Sequence, residues 1–343
     1  MHIINSAKMN EIVTLGHGSG GRLTQGLIEK TFAAKFSLGQ PLTDSAVLNN
    51  SGGKLAFTTD AFVVNPVFFP GGDIGKLAVC GTVNDLAVSG ADPEYISASF
   101  IIEEGFLLDD LAAIADSMAE EAKKAGVRIV TGDTKVVEKG KCDKLFITTS
   151  GTGFLRNDFE HLAAAEKVGL GDRIIINGPM GNHSVAILGA RKSLSFETPV
   201  KSDCASLNLL IKRLLENCSE IHFMRDLTRG GLVAVLNELA AMIKTGIVIN
   251  ESSIPVDEPV KGLCELLGFD PLYLANEGKM IIVAGRNEQD KILEILHDDE
   301  LGRDAAVIGE ITDDSRGMVV LNTQSGGRRI LDLPSGIQLP RIC

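Results

Sequence analysis

Two consecutive stretches of this chain alternate strand-period and helix-period patterns, which limits the fold to helices layered on sheets. In the first stretch, residues 55–60 read as a strand ending in Asp60, and residues 74–89 place Ile74, Leu77, Ala78 and Leu86 at near-helical spacing. Tyr95 to Ile102 alternates Ile96, Ala98, Phe100 and Ile102 on one face, the period of a half-buried strand. Leu111, Ile114, Ala115, Met118, Ala122 and Ala125 form the stripe of an amphipathic helix that Gly126 stops. Strands over 127–130 and 145–150 follow, the former running into Thr131-Gly132-Asp133-Thr134-Lys135.

The second stretch repeats the style. Strands are expected at 173–177, 221–224, 280–284, 305–311 and 318–321, with helices at 202–217 and 232–243. Leu207, Leu210, Ile211, Leu214 and Leu215 form the inward stripe of the first of these helices. The expected class is α/β or α+β, with a mixed sheet in the second half. The apolar pattern breaks at Arg156, Asn157, Asp158 and His161, so the reading is a domain over 1–155, a second over 156–333 and a tail over 334–343. Pro334, Ser335, Gly336, Gln338 and Pro340 resist helix and strand, and the tail is expected to be flexible and to contribute little core.

The chain has 343 residues, 44% of them hydrophobic, enough for two cores. A net charge of -12 without a Lys/Arg cluster argues against a nucleic-acid or anionic-membrane surface and for small-molecule or protein partners. No leader and no apolar run of about eighteen residues is seen. The six cysteines (80, 142, 204, 218, 264 and 343) include no C-x-x-C pair, so a cytoplasmic protein with reduced thiols is expected.

Cys343 is the last residue, and an exposed thiol at a chain end is a liability unless its reactivity is used. Ten extended residues reach about 30 Å, enough to carry it from a site on its own chain to another protein. Its own α-carboxylate disfavours the thiolate and Arg341 acts oppositely, so a pocket or partner cation is needed to activate it. The other five cysteines read as core or incidental residues.

Acids gather at element ends: Asp44, Asp60, the Asn84-Asp85 pair within an apolar helix, Asp133 and Asp226. Singly each is an ordinary cap or turn residue; together they suggest oxygen ligands for Mg²⁺, which takes a few carboxylates plus phosphate oxygens. Gly16-His17-Gly18-Ser19-Gly20-Gly21-Arg22 offers successive backbone N–H groups suited to a polyphosphate, although it is neither a Walker loop nor a dinucleotide fingerprint. Lys135 suits charge neutralisation on a transferring phosphoryl group. Glu277, directly before an apolar strand, is either a turn residue or a tuned general base.

These segments carry a resemblance. His17-Gly18-Ser19-Gly20-Gly21, Asp44-Ser45-Ala46-Val47, Thr58-Thr59-Asp60, Pro70-Gly71-Gly72-Asp73-Ile74-Gly75, Val83-Asn84-Asp85-Leu86, Gly132-Asp133-Thr134-Lys135, Asp226-Leu227-Thr228-Arg229-Gly230-Gly231 and Pro340-Arg341-Ile342-Cys343 resemble the HypE family of carbamoyl dehydratases. The likeness runs from about residue 14 to 343. Its acid and glycine motifs are shared with the wider aminoimidazole ribonucleotide synthetase (PurM-like) superfamily, and the cysteine-ended tail points to HypE.

The resemblance implies a PurM-like two-domain fold whose N-terminal sheet pairs with that of a second subunit into a barrel, making a homodimer. It implies ATP and Mg²⁺ as cofactors, a HypF-type carbamoyltransferase that loads Cys343, and a HypC–HypD complex that accepts cyanide. Cys343, Lys135 and Glu277 would be catalytic. Gly18, Ser19, Gly20, Gly21, Asp44, Asp60, Asn84, Asp85, Asp133 and Asp226 would bind cofactor, with Asp44, Asp60, Asp85 and Asp133 on the metal. Two alternatives stay open: another ATP-dependent synthetase or kinase of the superfamily, and a non-catalytic, nucleotide-switched thiol carrier.

Overall fold

The computed structural model describes residues 21–27, 46–50, 53–191, 198–333, 339 and 341–343. Among them, the first half builds a five-stranded sheet in the order β1-β2-β7-β5-β6. Its strands are β1 (Ala46–Asn50), β2 (Gly53–Phe62), β5 (Ala91–Glu103), β6 (Arg128–Val137) and β7 (Leu145–Leu155). Neighbours are antiparallel except β5 and β6, which are parallel and joined through helix Leu108–Ala125. β3 (Phe68–Phe69) and β4 (Gly72–Asp73) make a small hairpin.

The hairpin leads into helix Ile74–Val88, the pivot of the molecule. Asp73 is its N-cap, accepting from the N–H groups of Gly75 at 2.7 Å and Lys76 at 3.1 Å. All its residues but Lys76 and Asp85 are buried, because the sheet, helix Leu108–Ala125 and the second half surround it. Gly75 permits this closeness: a Cβ there would lie 2.4 Å from the Ile114 carbonyl oxygen, so Gly75→Ala would force the helices apart. Helix Leu108–Ala125 buries Ile114, Met118 and Ala122 as the periodicity predicts, but Ala115 is exposed. Gly126, at φ 72°, ends it.

The second half carries a seven-stranded mixed sheet in the order β14-β13-β10-β12-β8-β11-β9. Its strands are β8 (Arg173–Ile176), β9 (Ile221–Asp226), β10 (Gly246–Asn250), β11 (Met280–Ala284), β12 (Ala306–Thr312), β13 (Val319–Asn322) and β14 (Arg328–Leu331). Helix Gly231–Ile243 packs on one side, in a cluster with Phe223, Ile281 and Val283; helix Asn208–Asn217 packs on the other, with Ile175, Met224 and Ile282. Ala87 and Val88, at the end of the pivot helix, join that second cluster and couple the halves.

Two expectations differ from the structure. The helix expected over 202–217 begins at Asn208, because residues 202–207 form a loop whose backbone and side chains bond to other segments. The strand expected over 127–130 runs on through Gly132–Lys135 to Val137 as β6, an edge strand almost fully exposed along its length. Among the described residues no helix is long and apolar enough to cross a membrane.

Candidate active site at the docked chain end

Glu277 lies in the loop that feeds β11 and is 3% exposed. The loop backbone is held from several sides. Asp203 accepts from the N–H groups of Glu277 at 3.1 Å and Gly278 at 3.3 Å, and its carboxylate lies 3.5 Å from the Lys279 ammonium. Asn276 accepts from the Gly181 N–H and donates to the carbonyls of Leu227 and Leu274. Asn177 donates to the Gly278 carbonyl at 3.1 Å. At Gly278 a Cβ would sit 1.9 Å from the Asp203 carbonyl oxygen, so only glycine allows the approach. Fixing a backbone this heavily fixes the side chain it carries.

The carboxyl of Glu277 is less well served. Its Oε1 is buried and has no hydrogen-bond partner. Burial, then the charges of Asp226, Asp203, Asp60 and Cys80, hold it well above the usual carboxylate range. Asp226 ends β9 opposite Met280 of β11, which places it at the same end of the sheet as Glu277. Asp60 comes from the other half: its Oδ2 lies over Gly81 of the pivot helix, 3.5 Å from where a Cβ would stand. Asp85, one helical turn further on, accepts from the Thr58 hydroxyl at 2.7 Å. Asp60 and Asp85 therefore share one face of that helix.

The chain end enters this neighbourhood, against the expectation that the tail contributes little core. Ile342 is 4% exposed and packs in the cluster of the first half. The Val63 N–H donates to an oxygen of the Cys343 α-carboxylate at 3.1 Å, and the Asn65 N–H to the Arg341 carbonyl at 3.2 Å. Arg341 donates to the Val63 carbonyl, pairs with Asp143 and lies over the Phe146 ring at 5.6 Å. Arg191 donates to the carbonyls of Asn65 and Arg341. Partly buried Cys343 feels Glu277, Asp60 and Asp226; burial above all, opposed by Arg229 and aided by those acids, pushes its thiol up to about 12. Arg229 is the cation that opposes this shift, while Arg341 is spent on anchoring.

The remaining candidates are placed differently. The Asn84 side chain donates to the Ala205 carbonyl at 3.0 Å and accepts from the Leu207 N–H at 2.7 Å. It latches the pivot helix to the second half through both polar atoms of its amide. Asp133 and Lys135 sit on β6, where they pair at 2.8 Å with both side chains largely exposed. Strands β5 and β7 separate β6 from β2, about 14 Å at the usual strand spacing. Within one chain they do not join the Glu277–Cys343 neighbourhood. Gly21 is buried at the start of the described residues. Gly18, Ser19, Gly20 and Asp44 lie outside them, as do residues 334–338 and Pro340 of the tail.

Among the described residues no group of three or more His, Cys, Asp or Glu side chains could hold a metal ion; of the expected metal ligands Asp44 lies outside those residues. Asp60 and Asp85 fit Mg²⁺ in its usual manner, one or two carboxylates with the rest supplied by phosphates and water. Asp203 and Arg229 escaped the sequence reading. Asp203 falls in a stretch assigned to a helix, and Arg229 sits among turn residues; only their meeting with Glu277 and Cys343 marks them.

The chain matches two family models, AIR synthase related protein, N-terminal domain, over residues 42–155, and AIR synthase related protein, C-terminal domain, over residues 169–322. It is 47% identical to the carbamoyl dehydratase HypE of Cupriavidus necator, over 96% of this chain and 95% of that one. Its identity to the carbamoyl dehydratase HypE of Escherichia coli is 46%, over 98% of this chain and all of that one. Among solved structures it resembles HypE in a HypE–HypF complex, with a TM-score of 0.84 at 48% identity, covering 90% of this chain and 99% of that one. HypE in complex with ATP gives a TM-score of 0.81 at 43% identity, covering 95% and 98%.

Proposed function

The chain belongs to the carbamoyl dehydratase HypE family of AIR synthase related proteins, and from that premise we propose that it dehydrates a carbamoyl group carried on its own Cys343. The observation that carries this reading is the docking of the terminal thiol within the electrostatic reach of Glu277, a buried carboxyl whose Oε1 lacks a partner. Residues at opposite ends of a fold gain nothing in stability from stacking acids around a thiol; the arrangement suits chemistry.

In the proposed reaction Cys343 carries S–C(=O)–NH₂. The carbamoyl oxygen takes the γ-phosphoryl group of ATP, ADP departs and one nitrogen proton is lost. Loss of the second nitrogen proton and cleavage of the C–O bond release phosphate and leave S–C≡N. Glu277 is the base for a nitrogen proton: a carboxylate with raised proton affinity is a stronger base once ionised. Arg229, whose charge acts on the Cys343 thiol, offsets negative charge on the sulfur. Mg²⁺, held through Asp60 and Asp85, would offset charge on the phosphates.

Lys135 and Asp133 reach such a site through a partner subunit in this proposal. Among the described residues β6 is an unpaired edge, and Ile129, Val130 and Val136 on it are exposed together with Ile101 on β5, Phe57 on β2 and Phe154 on β7. A long edge with apolar side chains is a pairing surface, and pairing β6 across a two-fold axis would close a barrel. A HypF-type protein as donor, a HypC–HypD complex as acceptor and a cytoplasmic setting complete the proposal. Replacing Glu277 by Gln tests it: carbamoylated Cys343 should accumulate, and unimpeded conversion to thiocyanate would remove Glu277 from the mechanism.

A further inference from the structure

A thiol that another protein must load has to leave the pocket, and one that Glu277 serves has to return to it in register. One short segment handles both ends of that requirement. His183 is fully buried, at the start of helix Asn182–Ala190, and its Nε2 lies 2.8 Å from the carbonyl oxygen of Ile342, the residue before the thiol. A carbonyl can only accept, so Nε2 carries the hydrogen. Burial disfavours the charged ring, which leaves Nδ1 as an acceptor. Ser202 Oγ sits 2.8 Å from Nδ1 and donates to it, while accepting from the Cys204 N–H at 3.1 Å. The tautomer is therefore fixed from behind by Ser202.

Ser202 is itself pinned. Its N–H donates to the Pro70 carbonyl at 2.8 Å, and its backbone lies where a Cβ on Gly71 would stand, at 2.7 Å. The next residue is Asp203, which holds the backbone of Glu277 and Gly278. Phe69 meets the His183 ring edge-on at 5.6 Å and limits its rotation. Ser202 thus sets the thiol-bearing end through His183, and Asp203 sets the carboxyl-bearing loop.

We propose that His183, oriented by Ser202, is a positioning residue that holds the Ile342 carbonyl and so keeps Cys343 in register with Glu277. This rests on the carbamoyl reading for its purpose but not for its geometry. When the tail leaves, the latch opens; when it returns, Nε2–H selects one docked conformation.

The test uses the full chain and follows iodoacetamide labelling of Cys343 by intact mass and peptide mapping, with the other five cysteines as internal controls. His183→Ala and Ser202→Ala should each raise Cys343 labelling by about tenfold or more at pH 8, since release lowers the thiol pKa toward its ordinary value. His183→Gln, whose amide N–H can replace Nε2–H, should stay near the wild-type rate. With the thiol loaded beforehand, single-turnover dehydration should fall by about tenfold in His183→Ala and recover in His183→Gln, while loading does not slow. Wild-type labelling rates in both alanine variants would overturn the proposal, as would equal loss in His183→Gln and His183→Ala. Faster labelling of all six cysteines in His183→Ala reports unfolding, and Ser202→Ala then decides. Should the wild-type chain form no thiocyanate at all, the carbamoyl reading falls while the labelling result still judges the latch.

Discussion

The backbone N–H of Val63 donates to the α-carboxylate of Cys343 over 3.1 Å, so the last residue of the chain is held just beyond the strand that carries Asp60. Arg341 reinforces the docking through Val63 and Asp143. Ile342 sits in the core of the first half and Cys343 packs against it, and the reactivity of the thiol follows from that.

A docked thiol should titrate late. The folded chain holds the Cys343 proton up to about 12, against an ordinary value of 9.0. Docking is therefore at full strength below pH 9 and weakens as pH rises from 9 toward 12. Labelling of Cys343 in the folded protein should keep rising by about tenfold per pH unit above 9, whereas in urea it levels off. A plateau near 9 in the folded protein would mean that the thiol is not buried with the acids.

Glu277 should cost stability at neutral pH. Its folded pKa lies above the ordinary 4.5. Above 4.5 the unfolded chain binds fewer protons than the folded one, so stability falls as pH rises through this window; below it the two states match. Glu277→Gln keeps the shape of the protonated acid and removes this penalty. Its Tm should exceed that of the wild type at pH 7, with the difference vanishing near pH 4. A lower Tm at pH 7 would mean that the carboxylate is satisfied by a partner.

Metal and nucleotide should depend on two acids more than on the rest. Asp60→Asn and Asp85→Asn should each weaken Mg-ATP binding in calorimetry by about tenfold, the worth of about one lost charged contact. Asn84→Ala should act mainly on thermal stability, because it frees the Leu207 N–H. Unchanged Mg-ATP affinity in both Asp variants would make that helix face structural.

In the proposed dimer Lys135 should act across the interface. Neither Lys135→Ala nor Cys343→Ala should turn over alone. Mixed after co-refolding, they should regain activity, because the Cys343 of one protomer then meets the Lys135 of the other. No recovery in verified mixed dimers would place Lys135 in its own chain's reaction or outside the reaction altogether.

Much of this was legible in the sequence wherever a residue acts through a local pattern. The Ile74–Val88 helix, the apolar β11 and the Gly126 stop follow from periodicity and capping. Glu277 and Cys343 stood out as a carboxyl before an apolar strand and a thiol at the end. Hidden were relations made by distant segments. The latch made by Asn84 was hidden because its partners, Ala205 and Leu207, lie in the other half. The continuation of the strand through Gly132–Lys135 was hidden because an exposed edge strand has no buried face to imprint alternation. The docking of Ile342 depends on His183, Arg191 and Val63, none of which announces a partner at the chain end.

The most direct measurement is the intact mass of the chain after incubation with carbamoyl phosphate, ATP and the HypF-type transferase. The account predicts a carbamoyl adduct that maps to Cys343 and then becomes lighter by one water, only when ATP is present and only while Glu277 is intact. An adduct on any other residue, or a Cys343 adduct that never loses water in the presence of Mg-ATP, would contradict it.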